Sequence, residues 1–260
     1  MAKIVVFDSG LGSLSVIKAI QKKTKADIIY FADQKNFPYG IKSVSHLKKI
    51  IYITIDNLRK QFEPDLIIIG SNTPSILFED IFRNDTSLVG VFPPLIEAQL
   101  ITKTKSIAIL STRSVVNSKK FDQHINKNLV KGIKILKINA NDLIQLVESG
   151  QFIYNKNYCR KQIRLFLTQK FAQHNVDVVT LSSTHLPFLS LMLSEIFPQI
   201  TFLDPAEKIA QQIVIHKNFH ESKKNSLKIF SSGNTTDFQK HLKHIGIKNK
   251  VNKLIFNYEF

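Results

Sequence analysis

The sequence predicts an α/β fold of two similar lobes, with mostly parallel sheets and a ligand cleft between the lobes. Three observations predict it. Short β-rich apolar runs alternate with longer segments of helical period. Small polar residues follow those runs repeatedly. Two pairs of runs also resemble each other at nearly constant offset.

The runs, in order, are "KIVVF" (3–7), "DIIYFA" (27–32), "DLIIIG" (65–70), "SLVGV" (87–91), "SIAIL" (106–110), "IKILKI" (133–138), "DVVTL" (177–181), "ITFLD" (200–204) and "SLKIF" (226–230). Helical periodicity fills segments such as 43–62 and 154–175 between them. Strands alternating with helices of this length form βαβ units and a parallel sheet. In such sheets ligands bind beyond the carboxyl ends of the strands, so the residues just after each run are the ones to read. They are Asp8-Ser9-Gly10-Leu11-Gly12-Ser13, Asp33 with the loop "NFPYG" (36–40), Ser71-Asn72-Thr73-Pro74-Ser75, Ser111-Thr112-Arg113-Ser114, and Ser182-Ser183-Thr184-His185. Any one of these is an ordinary turn. Five on one sheet edge indicate a site.

Asp65 precedes Ser71 by six residues, as Asp177 precedes Ser183, and Lys3 in "KIVVFDS" matches Ser106 in "SIAILST". The offsets, 112 and 103 residues, suit a loose duplication with a pseudo-twofold axis. Ser71 and Ser183 are then expected to face each other across the cleft. The expected lobes are 1–95 with 209–260, and 96–208.

Composition narrows the function. The chain has 260 residues, 43% hydrophobic and 22% charged, with one cysteine and a formal charge of +16. Cys159 alone forms no internal disulfide and no cysteine-based metal site, and it falls in a basic helix away from every strand end. The N-terminus lacks signal-peptide architecture, and no apolar stretch nears the ~20 residues of a membrane span. A cytoplasmic protein with no membrane association is expected. The charge favours acidic partners, and residues 211–260 carry nine lysines against three acidic residues. No zinc-finger, RNP or Walker pattern accompanies them, so nucleic acid is not the expected partner.

The segments "IVVFDSGLGSLSVIKAI", "YFADQKNFPYGIKS", "IIIGSNTPS", "IAILSTRS", "LIQLVESG", "SSTHLPFL" and "LDPAE" resemble, in order, the signature blocks of glutamate racemases. Residues 230–246 fit the family's last segment. The resemblance covers essentially the whole chain. It implies the aspartate/glutamate racemase fold, no cofactor, no metal, and a small-molecule partner that is an amino acid or dicarboxylate, and it allows a homodimer. By the same resemblance, substrate contacts fall on Ser9, Pro38, Tyr39, Gly40, Asn72, Thr73, Thr112 and Thr184, with Asp8 serving both substrate and catalysis. Asp8, Glu148 and His185 match the groups that support two proton-transferring cysteines.

Those cysteines fall on Ser71 and Ser183. A proton alpha to a carboxylate needs a strong base held close. A thiol titrates near 8.5, so a modest push yields thiolate, whereas an alcohol lies nearer water at ~15.7. The gap of ~7 units is roughly 10 kcal/mol, and the greater basicity of an alkoxide recovers only part of it. Little or no two-base racemisation is expected. Ser13, Gly70, Val115 and Ser182 also depart from the family pattern, which points to natural divergence rather than two engineered changes.

Other readings compete. His185 follows Ser183 by two and could join Asp8 in a Ser-His-Asp hydrolase, although no G-x-S-x-G elbow is present. His185 could instead simply hold its loop. Gly10 and Gly12 suggest a dinucleotide fingerprint, but Ser15 replaces its third glycine. Asp8 could cap the following helix, and Glu148 could end one before Gly150. An amino-acid-binding or partner-binding pseudoenzyme stands beside the enzyme reading.

Overall fold

The structure, a computed structural model, describes residues 3–258. Each apolar run folds as a strand, within a residue of its expected ends. The chain divides into two compact units, Met1–Val91 with Ala206–Phe260, and Phe92–Pro205.

The first unit opens with β1 (Lys3–Asp8), α1 (Leu14–Lys23), β2 (Asp27–Ala32), α2 (Val44–Phe62), β3 (Leu66–Ile69), α3 (Asn72–Leu77), α4 (Ile81–Asn84) and β4 (Leu88–Gly90). The second comprises α5 (Leu95–Ile101), β5 (Ser106–Ser111), α6 (Arg113–Val116), α7 (Lys119–Asn128), β6 (Lys134–Asn139), α8 (Asn141–Glu148), α9 (Gln151–Tyr154), α10 (Lys156–Gln173), β7 (Val178–Ser182), α11 (Ser190–Ile196) and β8 (Thr201–Leu203). The chain then returns to the first unit with α12 (Ala206–Val214), β9 (Ser226–Ser231), α13 (Thr235–His244) and β10 (Val251–Lys253).

Among the described residues the first sheet runs β10-β9-β2-β1-β3-β4 and the second β6-β5-β7-β8. Every pairing is parallel. The order β2-β1-β3-β4 therefore recurs as β6-β5-β7-β8. It pairs β1 with β5 and β3 with β7, the same two matches that the sequence offsets pick out.

Period-2 alternation explains the core of each unit. On one face of the first sheet Val5, Phe7, Ile29, Phe31, Ile67 and Ile69 pack on Leu47, Ile50, Ile51 and Leu58 of α2. In the second, Ala108, Leu110, Val179 and Leu181 meet Leu143, Val147, Ile163 and Leu167 of α8 and α10, and Cys159 is buried in that same cluster. Burial raises the titration of the Cys159 thiol and suits a filler of the core. The segment read as one helix over 154–175 is broken at Asn155, whose side chain accepts from the Tyr158 amide and starts α10 afresh.

The two aspartates of the repeat do the same local work. The Lys3 amide donates to Asp65 Oδ2 at 2.7 Å. Asp177 accepts from Thr102 Oγ1 at 2.6 Å, the Lys103 amide at 2.6 Å, and the Thr104 amide and hydroxyl at 3.1 and 2.8 Å. Each carboxylate ties the start of a central strand to the entering chain. Burial pushes the Asp177 carboxyl up, but those hydrogen bonds outweigh it and hold the group below the ordinary carboxylate value. A depressed native value gives stability that is present above the unfolded value, near 3.9, and is lost as pH falls through the native one. Asp177→Asn should therefore lower stability at neutral pH by about 1–2 kcal/mol, discounted for partial exposure. In thermal melts, the gap to the parent protein should narrow below about pH 4.

Candidate active site

Each unit ends its two central strands in one polar cluster. In the first unit β1 delivers Asp8 and Ser9, both buried, and the Ser9 amide donates to Asp8 Oδ1 at 2.7 Å. The cap position of α1 falls to Ser13, not to Asp8. Asp8 is thus left at the strand tip with its carboxylate turned onto its own loop. The glycines of that loop lead directly into α1.

The end of β3 is fixed by a clamp to the end of β4. Asn72 Nδ2 donates to the Val91 carbonyl at 3.0 Å, and the Val91 amide donates to Ser75 Oγ at 3.0 Å. Ser75 Oγ also donates to the Ser71 carbonyl at 2.8 Å. Because a carbonyl only accepts, the Val91 contact fixes which end of the Asn72 amide is nitrogen. Asn72 Oδ1 then lies buried with no hydrogen-bond partner. An unpaired buried acceptor costs on the order of 1–3 kcal/mol, and a ligand donor would offset it. Thr73 is buried beside it. Ser71 occupies the cap position of α3, yet its hydroxyl caps no amide, and the residue is only half-buried.

The loop after β2 brings up Pro38, Tyr39 and Gly40, with Tyr39–Ile41 forming a 3-10 turn. Pro38 and Gly40 are half-buried. The Tyr39 ring is 2% exposed, and its hydroxyl donates to Asp33 Oδ2 at 2.9 Å. Burial and the neighbouring Asp33 charge raise the Tyr39 phenol well above its ordinary value. Its side chain anchors the loop to Asp33.

In the second unit β7 ends at Ser182, whose carbonyl accepts from Ser111 Oγ at 2.8 Å and whose hydroxyl pairs with Thr180 Oγ1 at 2.9 Å. Ser183, Thr184 and His185 follow, all buried, and the Leu186 amide returns to the Ser183 carbonyl at 3.0 Å. Glu148 stands at the end of α8, where Gly150 at φ 74° turns the chain in the left-handed region. The same residue grips His185: Nε2 of the ring meets Glu148 Oε1 in a pair whose side chains are 8% and 14% exposed. Two residues that the sequence separates by 37 positions are one unit of structure. Within this unit the carboxylate on His185 is Glu148. Thr112 caps α6 by position, and its hydroxyl pairs with Ser114 at 3.2 Å.

Sequence reading assigned no role to Asp33, Ser75 or Tyr258. Asp33 and Ser75 stood among the strand-end residues, a signal of position, but their partners became visible only in the fold. Tyr258 carries no such signal. Among the described residues no group of three His, Cys, Asp or Glu is placed to hold a metal. Among those residues no helix is long and apolar enough to cross a membrane.

No family model matches the chain. Individual proteins do. The chain is 31% identical over 233 residues to a glutamate racemase of Aliarcobacter butzleri, covering 85% of this chain and 88% of that protein. The chain belongs to the glutamate racemase family. A Glaesserella parasuis glutamate racemase is 26% identical over 92% of each chain. Among solved structures, Bacillus anthracis glutamate racemase RacE1 superposes with a TM-score of 0.85 at 21% identity, over 98% of this chain and 97% of that one. The glutamate racemase of Aquifex pyrophilus does so with 0.72 at 25% identity, over 96% and 98%. The glutamate racemase fold thus extends over nearly the whole chain.

Proposed function

We propose that this chain is a glutamate-racemase scaffold that binds glutamate or a related amino-acid carboxylate and has lost ordinary two-base racemisation. The observation that carries the binding half is Asn72. Its amide nitrogen is spent on Val91 and its oxygen is buried and unpaired, an acceptor suited to an ammonium group. Ser9, Thr73, Thr112, Thr184 and the main chain of Pro38–Gly40 supply the remaining contacts in this reading. Support comes from racemases of the same fold, solved with L-glutamate from Escherichia coli and with D-glutamate from Francisella tularensis.

The catalytic half rests on Ser71 and Ser183. Asp8 and the Glu148–His185 pair stand ready to orient or take a proton, but neither makes an alkoxide from a serine at neutral pH. The reading implies a cytoplasmic protein without a cofactor and is compatible with a homodimer. Isothermal titration with L- and D-glutamate and L- and D-aspartate tests it. Saturable binding of at least one is expected, and Asn72→Ala should weaken it about tenfold or more, the value of one hydrogen bond to a charged group. Failure of all four to bind would remove the amino-acid reading and leave a partner-binding pseudoenzyme.

A further inference from the structure

β9 does more than widen the first sheet. Its register with β2 sets Ser231 beside Ala32, and the Ser232 amide extends that pairing to the Ala32 carbonyl at 3.0 Å. Parallel neighbours leave a sheet at the same edge, so Ser232 emerges beside Asp33. Ser232 is 5% exposed and Asp33 is fully buried. The Ser232 hydroxyl donates to Asp33 Oδ1 at 3.1 Å and accepts from the Lys35 amide at 2.9 Å. One hydroxyl thus holds a side chain and the main chain of the loop after β2.

The residues around Ser232 complete a seat for that loop. Ser231 Oγ donates to Gln34 Oε1 at 2.8 Å and accepts from the Gly233 amide at 3.1 Å. Lys253 of β10 donates to the Ser232 carbonyl at 2.9 Å and to the Gly233 carbonyl. A methyl group on Gly233 would stand 2.6 Å from Gln34 Cβ and 2.6 Å from its Oε1, so the two loops meet too closely for a side chain there. The contact reaches Tyr39 through Asp33. Oδ1 of Asp33 accepts from Ser232 and from Asn36 Nδ2 at 3.1 Å, and Oδ2 accepts from Asn36 Nδ2 and Tyr39 OH, each at 2.9 Å. A buried carboxylate needs such donors, and donors on both oxygens also fix its rotation. Removing the Ser232 donor frees Oδ1, lets the carboxylate turn, and moves the acceptor of Tyr39.

We propose that Ser232 is a positioning residue: its hydroxyl seats residues 33–35 on the end of β9 and, through Asp33 and Tyr39, sets loop 36–40 for a ligand. The ligand part of this inference rests on the amino-acid-binding reading above. Without the hydroxyl, Asp33 and the Lys35 amide each lose a partner at once. Loop 36–40 then loses its single arrangement while the sheet and the core stay intact.

The test uses the whole chain, with Ser232→Ala to delete the hydroxyl and Ile229→Val as a comparator. Ile229 is fully buried in the same strand, and its change weakens packing alone. Hydrogen exchange at the Asn36 and Phe37 amides, which bond to the Asp33 and Gln34 carbonyls, reports loop order beyond the deleted contact. Spectra of 13C-tyrosine-labelled protein, assigned with Tyr39→Phe, report the Tyr39 ring without any ligand. Titration with D- and L-glutamate reports binding. Ser232→Ala should speed exchange at both amides about tenfold, move the Tyr39 resonance and weaken the better enantiomer about tenfold, the scale of one hydrogen bond to a charged group. Ile229→Val should lower the melting temperature, leave the resonance in place, and keep exchange and affinity within about twofold. An unmoved resonance or unchanged exchange in Ser232→Ala would overturn the proposal. So would equal effects in Ile229→Val, which mark a merely structural strand. A moved resonance with unchanged affinity would overturn its ligand part. If Ser232→Ala does not fold, Gly233→Ala decides in its place, because it displaces Gln34 without removing a hydrogen-bonding group; an unmoved resonance there would again overturn the seat. If the parent protein binds neither enantiomer, the amino-acid reading fails, and exchange and the resonance alone decide whether Ser232 seats the loop.

Discussion

Incubated with L- or D-glutamate in D₂O, the natural chain should leave the α-proton in place. The Ser71→Cys/Ser183→Cys double variant should wash it out with inversion. Each single cysteine variant should give exchange at one face without inversion. The physical reason is the ~7-unit gap between alcohol and thiol, roughly 10 kcal/mol before the higher basicity of an alkoxide returns part of it. Even half of the gap slows proton transfer by more than roughly a thousandfold. Each serine has polar neighbours within its own unit. Glu148 holds His185 in the second unit, and Asp8 and the clamped Asn72 stand at the strand tips of the first. Proton NMR of the α position is the measurement. Washout with inversion by the unaltered chain would refute the loss of function, and a silent double variant would mean that more than the bases has gone.

Gly70→Ala should destabilise the protein by about 1–3 kcal/mol, the usual cost of overpacking a filled site, and Ser13→Gly in the same chain should restore most of it. A methyl group on Gly70 would stand 2.3 Å from Ser13 Cβ, 2.7 Å from Ser13 Oγ and 3.2 Å from the Phe7 carbonyl oxygen. The Ser13 side chain is fully buried, and its hydroxyl has no hydrogen-bond partner. Removing it should itself be nearly neutral, since the orphaned hydroxyl contributes no bond. Urea melts of the four proteins form a double-mutant cycle, and contact predicts a coupling of at least about 1 kcal/mol. Additive effects would refute the clash. Ser13 and Gly70 lie 57 positions apart in the sequence, yet a side chain at one occupies the space of a side chain at the other.

Much of the fold was legible because it is written locally. Parallel strands buried on both faces read as near-continuous apolar runs, and each of the nine runs is a strand. The missed strand, Val251–Lys253, lies at the sheet edge in a lysine- and asparagine-rich stretch, and only Val251 is buried. Its pairing with β9 comes from position, not from pattern. The break at Asn155 was hidden for a different reason: the helical period continues through it, and only the cap bond of the Asn155 side chain restarts the helix.

The candidate site divides in the same way. Asp8, Ser9, Asn72, Thr73, Ser183, Thr184 and His185 each follow a strand, so strand ends alone marked them. Glu148 was marked by resemblance, and its grip on His185 appears only when α8 packs beside the end of β7. Asp33 stood in plain view after β2, but one of its donors, Ser232, lies about two hundred residues away in sequence.

By itself the sequence determined the alternation of strands and helices, the family resemblance and the serines at 71 and 183, because apolar period, motif order and residue identity are properties of the chain in one dimension. The tertiary structure decided which polar groups meet. It turned the Asn72 amide, gave His185 to Glu148, set Ser13 against Gly70 and brought Ser232 to Asp33. A hydrogen bond or a clash needs two groups within a few ångströms, and only folding brings positions that far apart in sequence to that distance.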